Sequence, residues 1–183
     1  MSDNPQNPLC LRTRDDFSKF FTFLGFKTGV EVGVLRGEFS AQLLKDWNGT
    51  LYLVDAWKHL DDYRDASNGD DITHEANYQF VKQRFARNPN VVIFRSLSAE
   101  AANSFQTGSL DWVYLDANHS YEAVKVDLEA WYPKVRIGGI IAGHDYIDAP
   151  NHIAGNFGVK SAVREFFAGG NIHEYPDWWV IKL

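Results

Sequence analysis

Disulfide chemistry is closed to this chain, because Cys10 is its single cysteine and no intrachain bridge can form. Such sparing use of cysteine fits a reducing compartment. No apolar run approaches the roughly 20 residues of a membrane span, and the N-terminal MSDNPQNPLCLRTRDD carries no apolar signal core. Basic charge is also short, at 18 Lys and Arg against 24 Asp and Glu, a formal net charge of −6. A broad nucleic-acid footprint needs a basic face. Missing too are the G-x-G-x-x-G of dinucleotide-binding folds and the G-x-x-x-x-G-K of phosphate loops, which argues against a nicotinamide-dependent oxidoreductase. No repeat or low-complexity tract interrupts the chain. These absences leave a soluble, cytoplasmic protein with neither a nucleic acid nor a membrane as partner.

What is there is apolar content and period. A chain of 183 residues, 45% hydrophobic, supports one well-formed core and not two comfortable domains. Residues 1–12, with Pro5 and Pro8, read as a loose tail, leaving 13–183 as a single domain. Phe17, Phe20, Phe21 and Leu24 share one helical face, closed by Gly25. Strands are expected at 29–34, 51–55, 91–95, 110–116 and 137–143, alternating with helices at 37–47, 72–87, 98–102, 121–135 and 159–167. Segments 171–175 and 178–182, split by Pro176-Asp177, suggest a terminal antiparallel pair. The sum is an α/β fold: seven strands, mostly parallel, an antiparallel C-terminal strand, and helices on both faces. Six Trp and 13 Phe leave enough apolar surface for a homodimer.

In such sheets ligands bind outside the carboxyl ends of the strands, so those positions carry the functional reading. Glu31-Val-Gly33-Val-Leu-Arg-Gly37 is a turn whose glycines let backbone approach a ligand, or simply a structural turn. Asp55 ends the next strand about 20 residues on, where an acid can accept ribose hydroxyls; capping a helix is the plainer alternative. Ala56 and Trp57 follow, and the indole could pack on an adenine face or join the core. The stretch GGIIAGHDY runs Ile140-Ile141 through a core and then sets His144 and Asp145 at the strand's exit.

Taken in order, Glu-x-Gly-x-x-x-Gly, the strand-terminal Asp55, Tyr-Leu-Asp116 and Gly138-Gly139 before a strand resemble a class I S-adenosylmethionine-dependent methyltransferase. The resemblance runs from about residue 28 to the end and implies a Rossmann-like sandwich. Within that class, YLDANHSYEAVKVDLEAWYPKVRIGGIIAGHDY is similar to small-molecule O-methyltransferases: the metal-dependent catechol type, and the sugar-modifying enzymes of macrolide and aminocoumarin biosynthesis. It implies that Glu31 and Gly33 line the methionine end of the cofactor, with Gly37 starting the helix beneath. By the same resemblance Asp55 holds the ribose, Ser98 and Ala99 border the adenine, and Asp116 faces both cofactor and metal; Ala56 and Trp57 are expected at the cofactor beside Asp55. Its metal ligands would be Asp116, His144 and Asp145, its acceptor a hydroxyl on a small molecule.

The chain departs from that pattern at His144, where the catechol type is usually acidic. Oxygen donors suit Mg²⁺, whereas imidazole suits a transition metal; the site could hold either, or none, with His144 then a base or substrate contact. Three residues past Asp116, the catechol-type pattern has a lysine proposed as base, and this chain has His119. An imidazole of pKa near 6.5 suits proton removal from a hydroxyl, although His119 also sits where it could cap the next helix. The alternatives are a metal-independent methyltransferase using His119 or His144 as base, a protein or RNA methylase, and a cofactor-binding protein of this fold without activity. The polar excursion 57–71 reads as a lid or as solvated surface. His59, His74 and His173 read as surface or loop residues, and His152 as part of a loop walling the substrate pocket.

Overall fold

A computed structural model describes residues 11, 13–152, 155–174 and 177–183. Five parallel strands, β1 (Thr28–Val32), β2 (Thr50–Asp55), β3 (Val91–Arg95), β4 (Leu110–Leu115) and β5 (Val135–Gly143), are joined by β8 (Trp178–Ile181), antiparallel to β5. The order is β3-β2-β1-β4-β5-β8. Among the described residues six α-helices pack around them: α1 (Phe17–Phe23), α2 (Glu38–Asp46), α3 (Asp71–Phe85), α4 (Ser98–Ala102), α5 (Tyr121–Trp131) and α6 (Val159–Phe166). None is long and apolar enough to cross a membrane, among the described residues.

The period-2 pattern of the strands divides the core into two layers. On β4, Val113 and Leu115 join Val124, Leu128 and Trp131 of α5 and Val163 of α6 on one side. Trp112 and Tyr114 face the opposite layer, with Phe17, Phe20 and Phe21 of α1, Leu43 of α2 and Val81 of α3. Trp112 stacks on Phe21 at 4.5 Å between centroids, and a Cβ on Gly29 would lie 1.9 Å from its indole. A glycine in β1 therefore makes room for the largest side chain of the neighbouring strand. Leu24, expected on the buried face of α1, is instead 38% exposed, because the helix ends one residue earlier.

Two expectations for the strands need correcting. The main sheet has six strands rather than seven, since 171–174 contributes only an isolated bridge, His173 to Trp179. Segment 147–158, read as a loop, instead carries a separate two-stranded sheet of β6 (Asp148–His152) and β7 (Gly155–Gly158). Most of the expected tail lies outside the described residues, but Leu11 packs against the aromatic layer.

Candidate active site

The strand order reverses between β1 and β4, and a cavity of about 700 Å³ opens over the strand ends there, where ligands of doubly wound sheets bind. It is lined by Gly33, Asp55, Ala56, Ser98, Ala99 and Asp116, by Ala123, Val126 and Asp127 of α5, and by Tyr63 and Asn68 of the β2–α3 connection. Gly33 has φ +88°, and a Cβ there would lie 2.0 Å from the Asp116 carbonyl oxygen. Only glycine lets the ends of β1 and β4 come this close. The Asp55 Oδ2 accepts from the N–H groups of Val34 and Leu35, each at 2.9 Å, and Oδ1 from that of Trp57 at 2.7 Å. Asp55 thus fastens the glycine turn. A carboxylate has about four acceptor positions, so one remains for a ligand hydroxyl.

Three residues expected at the cofactor, Trp57, Gly37 and Glu31, do not line this cavity. Trp57, at φ +41°, turns its indole into the aromatic layer, where it is 1% exposed and donates from Nε1 to the Leu35 carbonyl at 2.9 Å. It is core, and the adenine-stacking reading fails. Gly37 caps α2 in a left-handed conformation, with the Phe85 ring 2.8 Å from where its Cβ would be.

A second cavity, of about 300 Å³, shares Gly33, Leu35, Ser67 and Asp116 with the first and adds Arg14, Glu31, Phe39, Asp65, His119 and Asp145. Glu31 therefore borders this smaller space, not the larger one. It is 2% exposed and accepts from the Ser40 hydroxyl. Burial pushes its carboxyl up to about 8, against the opposing Ser40 bond, so it is largely neutral at pH 7.

His119 stands where three carboxylates converge. Its Nε2 lies 3.3 Å from Asp116 Oδ1 and 3.7 Å from Asp145 Oδ2, and its Nδ1 lies 3.6 Å from Asp65 Oδ2. The Tyr63 hydroxyl donates to the Ala117 carbonyl at 3.1 Å and lies 3.3 Å from Nδ1, so it accepts there and keeps the proton on Nδ1. Helix capping falls to Ser120, which accepts from the Ala123 N–H, leaving the imidazole free for the site. Its ring packs on Phe157 of β7 at 5.3 Å. Burial alone would lower the His119 pKa. The bonds to Asp116 and Asp65 and the Asp116 and Asp145 charges overcome it and hold the pKa at about 9.

His144 and Asp145 leave β5 beside Asp116, but as ion-pair partners. His144 Nδ1 lies 3.0 Å from Asp145 Oδ1 and 3.8 Å from Asp116 Oδ1, and Nε2 lies 3.7 Å from the buried Asp177. The Asp145 bond raises its pKa above the ordinary value, with burial opposing and the Asp116 charge reinforcing. It borders neither large cavity, which removes the footing for a catalytic base at His144. Arg14, from the 3-10 turn Arg14–Asp16, places its guanidinium 3.1 Å from Asp116 Oδ2 and 5.1 Å over the Phe39 ring.

The metal expected at Asp116, His144 and Asp145 does not fit this arrangement. Among the described residues, no group of three or more His, Cys, Asp or Glu side chains is set to hold an ion. The physical reason is that both oxygens of Asp116 already have partners within the protein. Arg14 lies 3.1 Å from one oxygen and His119 3.3 Å from the other, while His144 turns Nδ1 to Asp145 at 3.0 Å.

Arg14, Tyr63, Asp65 and Phe157 went unnoticed as site residues in the sequence. Asp65 and Tyr63 sit in the polar excursion after β2, which reads equally as solvated surface. An isolated bridge between Asp65 and Gly155 ties that excursion to β7 over the site.

The comparisons agree with this geometry. The model of a methyltransferase domain matches residues 30–146. Among solved structures, the O-methyltransferase NovP aligns over 92% of this chain and 77% of its own, with a TM-score of 0.62 and 18% identity. A proposed caffeoyl-CoA O-methyltransferase from Staphylococcus aureus aligns over 100% and 85%, with a TM-score of 0.65 and 14% identity. Spermidine synthase from Thermotoga maritima aligns over 91% and 57%, at 0.57 and 15%. At such identities these neighbours speak to fold alone. No curated protein matches by sequence. The family match spans most of the chain and both strands that bound the larger cavity, and it implies S-adenosylmethionine as the methyl donor: the chain belongs to the methyltransferase-domain family.

Proposed function

We propose that this protein methylates a hydroxyl on a small molecule, with His119 as the base. The observation that carries the reading is the meeting of two cavities at Gly33 and Asp116, with His119 on the wall of the smaller one. The larger fits the cofactor: its volume is in the range of small-molecule sites, and Gly33 leaves the close approach open. When bound, the cofactor supplies an activated methyl on a cationic sulfur.

Gly33, Asp55, Ala56, Ser98 and Ala99 would hold it, and Asp116 would face its positive charge. The acceptor would occupy the smaller cavity between Phe39, Phe157 and His119. With Nδ1–H held by Tyr63 and Asp65, the neutral imidazole presents its lone pair at Nε2, the nitrogen that takes the hydroxyl proton. Asp65, Asp116 and Asp145 stabilise the imidazolium that forms. Positioning of the two reactants in adjoining cavities supplies much of the remaining acceleration.

Calorimetry with S-adenosylmethionine, and transfer of a labelled methyl to a panel of phenols and sugar hydroxyls, tests this reading. Binding and turnover are expected to survive EDTA. Loss of turnover in EDTA with recovery in Mg²⁺ would overturn the metal-free base, and absence of cofactor binding would overturn the whole assignment.

The pH dependence has a definite sign. His119 must be neutral to act as base, so kcat/KM should climb about tenfold per unit toward a plateau near its pKa of about 9. For stability the trend is opposite. A folded pKa raised above the ordinary 6.5 stabilises the fold fully below 6.5, and this contribution fades as pH rises through about 9. Melting temperatures from pH 6.5 to 9.5 should therefore fall less in His119→Gln than in the wild type.

A further inference from the structure

We propose that Asp127 reads the adenine of the bound cofactor, its carboxyl engaging the N6 amino group and an adjacent ring nitrogen. The proposal rests on the assignment of S-adenosylmethionine to the larger cavity, and it adds a residue that the family motifs leave out. Asp127 is on the second turn of α5, 7% exposed and at the edge of that cavity. Its neighbours on the helix, Val124, Leu128 and Trp131, are apolar and buried. The influences on its charge are burial, which raises its pKa, and the Ser98 hydroxyl, which lowers it in part. Among the described residues, no cationic side chain acts on it.

Burying a carboxyl without a cation is costly, and a group left that way calls for an explanation. Packing does not supply one, because leucine would fill an apolar helix interface at lower cost. The surroundings supply a better one. Ser98 Oγ accepts from Trp131 Nε1 at 2.9 Å, which occupies the oxygen and leaves the hydroxyl proton for Asp127. Leu97, Ala99, Ala123 and Val126 line the same cavity, beside the polar Ser96, Ser98 and Glu122. This lining offers apolar surface to a planar base and polar groups to its edge.

The chemistry matches as well. Burial holds the Asp127 carboxyl up at about 7, so a large share is neutral near pH 7. A neutral carboxyl offers one donor beside one acceptor. Adenine offers the complement, an amino donor beside a ring-nitrogen acceptor, the pairing that an asparagine amide also makes.

Calorimetry on the full-length protein tests this without a methyl acceptor, using S-adenosylhomocysteine and the same compound lacking the N6 amino group. Wild type should bind the first about tenfold or more tightly than the second. Asp127→Leu should weaken S-adenosylhomocysteine by a similar factor and bind both compounds alike, while raising the melting temperature of the free protein. Asp127→Asn, which keeps the donor–acceptor pair, should bind S-adenosylhomocysteine within about threefold of wild type. Equal affinity of the wild type for the two compounds overturns the proposal even if Asp127→Leu does not fold. So does undiminished discrimination in Asp127→Leu. Failure of the wild type to bind either compound would instead refute the cofactor assignment, so the two failures are distinct.

Discussion

Replacing His119 with alanine should lower kcat by roughly 10² to 10⁴, the usual contribution of a positioned general base, with the cofactor Kd changed less than about threefold. The separation of effects follows from the geometry. His119 borders the smaller cavity and not the larger one, so its removal leaves the cofactor's contacts in place. His119→Gln should lose as much rate while keeping more of the packing on Phe157. Asp65 then acts as a positioning residue. Its Oδ1 accepts from the Ser67 N–H and hydroxyl at 2.8 and 2.6 Å, which turns Oδ2 toward His119. Burial alone would raise the Asp65 pKa, but the His119 and Ser67 bonds hold it well below the usual carboxylate range. Asp65→Asn should lower the His119 pKa by about a unit or more, measurable by NMR titration of the imidazole without any acceptor. An unchanged titration would sink the positioning role, and an unchanged kcat in His119→Ala would sink the base.

Gly33→Ala should damage both stability and cofactor binding through a single added methyl. A Cβ at this position would lie 2.0 Å from the Asp116 carbonyl oxygen and 2.7 Å from the Ala117 Cα, on backbone at φ +88°. Overpacking against backbone costs about 1–3 kcal/mol, and forcing an alanine into left-handed backbone adds about 1–2 kcal/mol. A total near 3 kcal/mol lowers Tm by roughly 6–12 °C in a domain of this size. Relief of the clash requires β1 and β4 to part, which moves Asp116 away from the junction of the two cavities. Calorimetry should therefore show cofactor binding weakened at least tenfold even well below Tm. A variant with wild-type Tm and affinity would show that the two strand ends tolerate more space than their hydrogen bonds suggest. Between them the Asp116 N–H donates to the Val32 carbonyl at 2.7 Å.

The order of strands and helices was legible in the chain because it depends on local period. Val30 and Val32 repeat at spacing two, as do Val113 and Leu115, and Phe39, Leu43 and Trp47 at helical spacing, whatever they later pack against. The position of the site was legible for a related reason. A parallel sheet gathers its strand ends on one side, so Gly33, Asp55, Ser98, Asp116 and Asp145 could be placed near one another without coordinates. Even the closeness of β1 and β4 had a sign, a glycine where the chain leaves its first strand.

Other features could not be read locally. Trp57 follows Asp55 directly, and only its left-handed backbone decides that the indole enters the core rather than the cavity. Asp65 looks like any acid of a polar loop until that loop bridges to β7 and brings it to His119.

By itself, then, the sequence determined the architecture, the family and the edge of the sheet where chemistry takes place, because hydrophobic burial acts through patterns that repeat within a few residues. Tertiary structure decided the charge state of that edge. Arg14 reaches Asp116 across 102 residues of chain, and Asp65 and Asp145 approach His119 from separate connections. Coulombic forces depend on distance in space and on the local dielectric, neither of which is written in the spacing of residues along the chain. That is why a trio of residues that reads as metal ligands folds into a network of ion pairs around a histidine.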